Sequence, residues 1–270
     1  MASKKKIASE TELIESTKHS EVDLDSKDDF VQDLIKSLNK EHQQRIAYNL
    51  SSDTSPTHIK RWISTGSKQL DYIIANKKGG GAPEGRIIEI FGPPSIGKSH
   101  LAAQIARNTQ ALGGIVVYID TENAILPENL AALGIDVSKR FIYADPECIE
   151  DVFSIVESTI TKAASIKKDV PFTIIWDSLA GTPPKAELEG DYDTSTMGLA
   201  ARVISKCMRK VTQVIGNHNV LFVILNQVRS KIGIMFGDPT CVDPYTTKIT
   251  IKYEENSKIA KLLQNVKETK

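Results

Sequence analysis

Eight consecutive residues, GPPSIGKS from Gly92 to Ser99, fit the pattern G-x-x-x-x-G-K-[ST] at every fixed position. The chemistry such a stretch can do is phosphate binding. Gly92 and Gly97 let backbone N–H groups wrap phosphate oxygens, and a helix opening at the lysine adds its partial positive charge. In that arrangement Lys98 reaches the β- and γ-phosphates of a nucleotide, and the Ser99 hydroxyl ligates Mg²⁺. The variable positions are Pro93, Pro94, Ser95 and Ile96. The two prolines depart from the pattern's chemistry because they bring no N–H.

Two carboxylates fall where such a site needs them. Asp177 ends the apolar run FTIIWD, so a strand there delivers it to the carboxyl edge of a sheet, beside the phosphate loop. It is expected to hold the hydration shell of the Mg²⁺. Glu122 follows IVVYID at the same edge, where a carboxylate can polarise a water attacking the γ-phosphate. By spacing alone a surface acid in a loop is an equally open reading, and Asp120, two residues nearer the strand, is a rival base.

The elements that must position these groups are legible as alternating patterns. GRIIEIFG, IVVYID, FTIIWD and NVLFVILNQV are near-continuous apolar strands. KSHLAAQIARNTQALGG is a helix closed by glycines, and MGLAARVISKCMRKVTQVIGN is a helix with Ala200, Ile204, Cys207, Met208, Val211 and Ile215 on one side. Such strands separated by helices predict an α/β fold with a mostly parallel sheet covered on both faces.

The 270 residues are enough to bury a sizeable core, with 40% apolar and a quarter charged. Acidic and basic residues balance at 34 each, so any surface for nucleic acid must be local. Cys148, Cys207 and Cys241 have neither the number of a disulfide framework nor zinc spacing. No apolar run has the length of a membrane span, and the first residues lack the apolar core of a signal peptide. The expected location is cytoplasmic, with no membrane partner.

With these residues in place, the segment from Ile63 to Thr240 resembles the ATPase core of the RecA family of recombinases. The matching stretches are ISTGSKQLD, GRIIEIFGPPSIGKS, YIDTENA, WDSLAGTPPKAELEG, MGLAARVISKCMRK and LNQVRSKIGIMFGDPT, in family order. The resemblance implies ATP and Mg²⁺ as cofactors and Glu122, rather than Asp120, as catalytic glutamate. It implies that Gln227 senses the γ-phosphate and signals to DNA. Glu189 to Arg202 would form a first DNA-binding loop, with Met197 and Arg202 at the DNA. The stretch VRSKIGIMFGDPT would open a second, carrying Arg229, Lys231 and Phe236. Cations there would neutralise phosphates while apolar residues wedge between bases. Single- and double-stranded DNA and a homo-oligomeric filament are the partners implied. One departure concerns the base: Leu126 and Asn129 stand where the family has an Asp and a Tyr near the adenine.

The sequence changes character at Cys241. CVDPYTTKITI, with Ile249 and Ile251 alternating into a strand, resembles the first block of an intein, close to C-x-x-x-x-T-x-[IV]. The resemblance implies that Cys241 is a splicing nucleophile attacking the Thr240 carbonyl. It also implies a second chain carrying the C-terminal intein fragment and the remaining RecA core. The alternative is a truncated RecA-like ATP-binding subunit or regulator in which the last thirty residues are an ordinary strand and helix. The expected organisation is therefore a charged disordered arm over 1–28 and a helical segment over 29–58. A truncated ATPase core follows over 59–240, then a short β-rich split-intein fragment over 241–270. In the helical segment, Phe30, Leu34, Ile35 and Leu38 share one face, for oligomerisation or for packing on its own domain. Split, intein-bearing recombinases of this kind would fit a viral source and a host cytoplasm.

Overall fold

The computed structural model describes residues 24–52, 55, 57–166, 169–190, 198–227, 229–230 and 240–241. The chain divides into two compact units, residues 1–58 and 59–270.

Among the described residues of the first unit there is one helix, α1 (Leu24–Glu41), which starts inside the stretch read from the sequence as an arm. Phe30, Val31 and Leu34 on it are exposed. Asn39 pins the chain that follows: its Oδ1 accepts from the N–H groups of Ile46 and Ala47, and its Nδ2 donates to the Ala47 carbonyl.

The second unit opens with strand β1 (Trp62–Ile63), helix α2 (Lys68–Ala75) and strand β2 (Ala82–Pro83), with β1 and β2 paired antiparallel. The buried Asp71 explains why ISTGSKQLD folds as it does. Its carboxylate accepts from the Ser64 hydroxyl at 2.6 Å and from the N–H and hydroxyl of Thr65 at 2.7 and 2.6 Å, while Ser67 caps α2.

The core is a five-stranded, all-parallel sheet. Its strands are β3 (Ile87–Gly92), β4 (Ile115–Asp120), β5 (Phe141–Ala144), β6 (Phe172–Asp177) and β7 (Val220–Gln227), in the spatial order β3-β7-β6-β4-β5. The helices are α3 (Lys98–Ala111), α4 (Pro127–Ala132), α5 (Ile149–Ser165), α6 (Lys185–Leu188) and α7 (Leu199–His218). Strand alternation divides the apolar side chains between two faces. Val117, Ile119, Ile174, Trp176, Phe222 and Ile224 share one cluster with α5 and α7. Val116, Tyr118, Ile175, Leu221, Val223 and Leu225 share the other with Ala102, Ile105 and Ala106 of α3. Each fully buried large side chain contributes roughly 1.5–3 kcal/mol, so both faces must be covered, as the continuous apolar strands predict.

The α7 stripe has the predicted sense: Ile204, Met208, Val211 and Ile215 are buried, with Ala200 and Cys207 packed at its margin. Elements β5 and α5 were not anticipated. Two short strands, β8 (Arg229–Ser230) and β9 (Thr240–Cys241), pair antiparallel beyond the sheet, with Arg229 opposite Cys241. Among the described residues, no helix is long and apolar enough to cross a membrane.

Candidate nucleotide-binding site

Register brings the chemistry to one edge. Gly92 at the end of β3 lies opposite Gln227 of β7, and Asp120 of β4 lies opposite Asp177 of β6. The ends of β3 and β7 are thus level with each other, and those of β4 and β6 with each other. The first pair reaches two residues further, since Trp176 lies opposite Ile224. All four finish at the carboxyl edge, where open parallel sheets place their ligands.

The phosphate-binding stretch joins β3 to α3. Ser95 (φ 61°) and Gly97 (φ 98°) are both left-handed, a backbone pattern that turns successive N–H groups toward one concavity. No side chain caps α3 at Gly97, so its first N–H groups are offered to an anion rather than to the protein. The Lys98 ammonium folds onto the loop itself, donating to the carbonyls of Gly92 at 3.0 Å and Pro93 at 2.8 Å. Burial lowers its pKa, and the nearby carboxylates of Asp177 and Glu122 work the other way.

Asp177 is buried, and burial pushes its pKa up. Hydrogen bonds from Ser99 and Tyr118 pull it down, and the charges of Glu122 and Asp120 raise it again. The Tyr118 hydroxyl donates to Asp177 Oδ2 at 3.0 Å. Burial and the Asp177 charge push the phenol far above its ordinary range, so it remains an O–H donor.

Glu122 and Asp120 have different surroundings. Asp120 is 1% exposed and accepts from the backbone N–H groups of Glu122, Ala124 and Ile125 at 3.2, 3.4 and 3.1 Å. Its oxygens are therefore committed to shaping the turn that carries Glu122, which leaves it poorly placed to activate water. Glu122 Oε1 accepts from the hydroxyl of Ser178 and from Gln227 Nε2, the latter at 3.2 Å. Gly181 lies beneath it: a Cβ there would meet Glu122 Cγ and Oε1 at 3.2 Å.

A hydroxyl network holds this corner together. Thr121 donates to the carbonyls of Asp177 and Ser178 at 3.3 and 3.2 Å, and Thr182 donates to the Ser178 carbonyl at 2.8 Å. Buried Trp176 donates its indole N–H to Thr182 at 3.1 Å. Gln227 is anchored through its neighbour: the Gln227 N–H donates to Asn226 Oδ1 at 2.8 Å, and Asn226 Nδ2 donates to buried Glu89 at 2.9 Å.

The donor set fits a magnesium-bound nucleotide. Mg²⁺ favours hard oxygen ligands, commonly one or two carboxylates together with substrate phosphates; Ser99 and Asp177 are of that kind, and the Ser99 hydroxyl acts to lower the Asp177 pKa. Among the described residues no cluster of three or more His, Cys, Asp or Glu could hold a metal by itself, so here the phosphates would have to complete the set.

Of the residues expected at DNA, Arg202 lies exposed in the first turn of α7, its Nε donating to the Gly198 carbonyl at 3.4 Å. A helix that returns the chain to the amino edge before a parallel strand begins at the carboxyl edge, the edge of Gln227. Arg229 enters β8 two residues beyond Gln227. Met197, Lys231 and Phe236 lie outside the described residues, and for Cys241 only the backbone pairing is described.

Two functional-site neighbours escaped the sequence reading. Ser178, on Glu122, directly follows Asp177. Tyr118, on Asp177, precedes Asp120 by two residues, so the strand period that aims Asp120 at α3 aims Tyr118 there too.

A parallel sheet with a phosphate loop at its carboxyl edge, two converging carboxylates and a strand-end glutamine define a phosphate-loop nucleotide-binding domain. Residues 30–252 match the family model described as "RecA N-terminal domain", and the chain belongs to that family. It is 40% identical over 185 residues to Protein RecA of Chlamydia muridarum, covering 68% of this chain and 49% of that protein. Against Protein RecA of Chlorobaculum parvum it is 38% identical over 205 residues, covering 76% and 56%. The chain thus spans about half the length of the curated relatives it matches. The family match continues past Cys241.

Proposed function

We propose that this chain provides the ATP-hydrolysing part of a DNA recombinase that binds single-stranded DNA as a filament and promotes homologous pairing and strand exchange in repair. The observation that carries it is the convergence of Lys98, Asp177, Glu122 and Gln227 on one sheet edge, with Gln227 hydrogen-bonded to Glu122. The backbone of residues 92–99 and Lys98 would hold the phosphates, and Ser99 and Asp177 would hold Mg²⁺, Asp177 through water. Bound there, Mg²⁺ would neutralise charge on the phosphate oxygens. Glu122 would orient the attacking water and take its proton. Gln227 would exchange its bond to Glu122 for one to the γ-phosphate and pass that change along the chain to Arg229. Arg202, Arg229 and Lys231 would meet DNA phosphates, and Met197 and Phe236 its bases. ATP hydrolysis measured with and without single-stranded DNA tests this: stimulation by DNA supports it, and hydrolysis indifferent to DNA points to another phosphate-loop ATPase.

We further propose that Cys241 begins a self-removing module. Its thiolate would attack the Thr240 carbonyl carbon; the Thr240–Cys241 C–N bond breaks, a C–S bond forms, and the freed nitrogen takes a proton, leaving a thioester. A second chain carrying the C-terminal intein fragment and the rest of the core would complete splicing and yield the active ATPase. Support comes from the CVDPYTTKITI pattern and its place directly after the stretch matched to the second DNA loop. A second reading has its own support: the family match runs to residue 252, and Thr240 and Cys241 pair with Ser230 and Arg229. In that case the tail is permanent and the chain is an ATP-binding subunit or regulator. Peptide mass spectrometry of the protein from its native source separates them. A peptide joining MFGDPT to residues absent from this chain means excision at Cys241, whereas one reading through GDPTCVDPYTTK in the accumulated protein means none.

A further inference from the structure

The hydroxyl of Tyr118 takes part in none of these steps, yet it touches one of the groups that matter. Tyr118 is 1% exposed, stands on the sheet face covered by α3, and stacks on Phe141 with ring centroids 6.1 Å apart. An aliphatic side chain or phenylalanine would satisfy that packing. What the phenol adds is one polar atom at the far end of the ring, and that atom donates to Asp177 Oδ2 at 3.0 Å.

The bond matters because the carboxylate torsion of an aspartate is intrinsically broad. Asp177 ends its strand, and its carboxylate would otherwise be set by Ser99, a residue expected to turn to the metal. A donor approaching from inside the core, which no ligand displaces, narrows that torsion before any ligand arrives. Mg²⁺ is the cation most demanding of this, since it requires near-ideal octahedral geometry and holds its waters tightly, whereas Ca²⁺ tolerates irregular coordination. A water held between Asp177 and the metal transmits the carboxylate's direction.

We propose that Tyr118 is a positioning residue for the divalent-cation site: its O–H fixes the Asp177 carboxylate so that the lone pairs it leaves free keep one orientation for a magnesium-bound water. This rests on the nucleotide site proposed above. It gives Tyr118 a role in metal selection, distinct from binding the nucleotide itself.

The test is equilibrium binding of ATP to the full chain across a range of Mg²⁺, across a range of Ca²⁺, and in EDTA. Tyr118→Phe keeps the ring and its stacking and removes only the oxygen. The Mg²⁺ concentration for half-maximal binding should rise about tenfold, the lower end of what losing a partner behind a metal ligand costs. The Ca²⁺ requirement should move less, and affinity in EDTA should stay as in the wild type. In an Asp177→Asn background, Tyr118→Phe should add no further loss. An unshifted Mg²⁺ requirement overturns the proposal, as does an equal loss in EDTA or a loss that persists beside Asp177→Asn. If the wild type itself shows no Mg²⁺-dependent ATP binding, the nucleotide site falls and this role falls with it.

Discussion

Gln227 Nε2 donates to Glu122 Oε1 across 3.2 Å, joining the end of β7 to the turn after β4. The same Glu122 oxygen accepts from Ser178, so Oε2 is the oxygen that neither of these donors engages. A glutamate held this way is oriented before substrate arrives, and the glutamine that orients it stands two residues before Arg229.

The first prediction concerns Glu122 itself. Glu122→Gln keeps the shape and an oxygen for Ser178 but cannot take a proton. Turnover of ATP by the assembled protein should fall by about 10²- to 10⁴-fold, the usual worth of a positioned base, while ATP affinity stays within a few-fold. Steady-state hydrolysis beside equilibrium binding checks it. A comparable loss in Asp120→Asn with no loss of folded protein would reassign the base.

Gly181→Ala probes the same group by geometry alone. The added Cβ would press on Glu122 at 3.2 Å and on Ser178 Oγ at 3.3 Å. Glu122 must shift by a few tenths of an ångström, which costs rate rather than binding. We expect turnover to drop several-fold with ATP affinity unchanged; equal turnover would mean that Glu122 needs no such precision.

The third prediction is a pH dependence of stability at the opposite end of the sheet. Glu84 is 1% exposed, and burial raises its pKa above 4.5 even though Arg61, paired with it at 2.9 Å, works to lower it. A raised carboxyl pKa means that the folded state binds the proton more tightly. The stabilisation from protonating Glu84 is complete below pH 4.5 and is lost as pH rises through the folded-state pKa. Chemical denaturation of wild type and Glu84→Gln across that window should show the variant's relative stability improving as pH rises. A difference independent of pH would place the proton elsewhere.

Base selectivity should be weak. Leu126 is 57% exposed and offers no hydrogen bond at one of the two positions that the family resemblance assigns to the adenine, and Asn129 replaces the ring at the other. Sites that do not hydrogen-bond a substrate group discriminate by little more than one or two orders of magnitude. ATP and GTP should therefore bind within about tenfold of each other in competition. A preference for ATP beyond about a hundredfold would point to base contacts from other residues.

The sequence carried the parts of this structure that depend on local pattern. β3, β4, β6 and β7 announce themselves as apolar runs, and α3 and α7 as helices with defined stops. Ile149, Val152, Phe153, Val156 and Ile160 of α5 have helical spacing, so that helix too is written in the sequence. Strand β5 is not: it is four residues long at the edge of the sheet, with Ile142 and Tyr143 exposed between half-buried Phe141 and Ala144, and so shows no strand period. The order β3-β7-β6-β4-β5 is a matter of long-range pairing that no local window encodes. At the site, Lys98, Ser99 and Asp177 were legible because their chemistry is tied to strand ends and one glycine-rich turn. Asp120 and Glu122 could not be separated by spacing, because what divides them is which backbone N–H groups each carboxylate meets. The Tyr118 contact joins strands 59 residues apart in sequence, and its partner is named only by the register.

The most direct test of the account is equilibrium binding of ATP in Mg²⁺ to the wild-type chain and to Lys98→Ala. The account predicts saturable binding by the wild type, lost in EDTA-free buffer when Lys98 is replaced, with the fold intact by circular dichroism. Undiminished ATP affinity in a folded Lys98→Ala protein would contradict it, because no other cation on that edge is assigned to the phosphates.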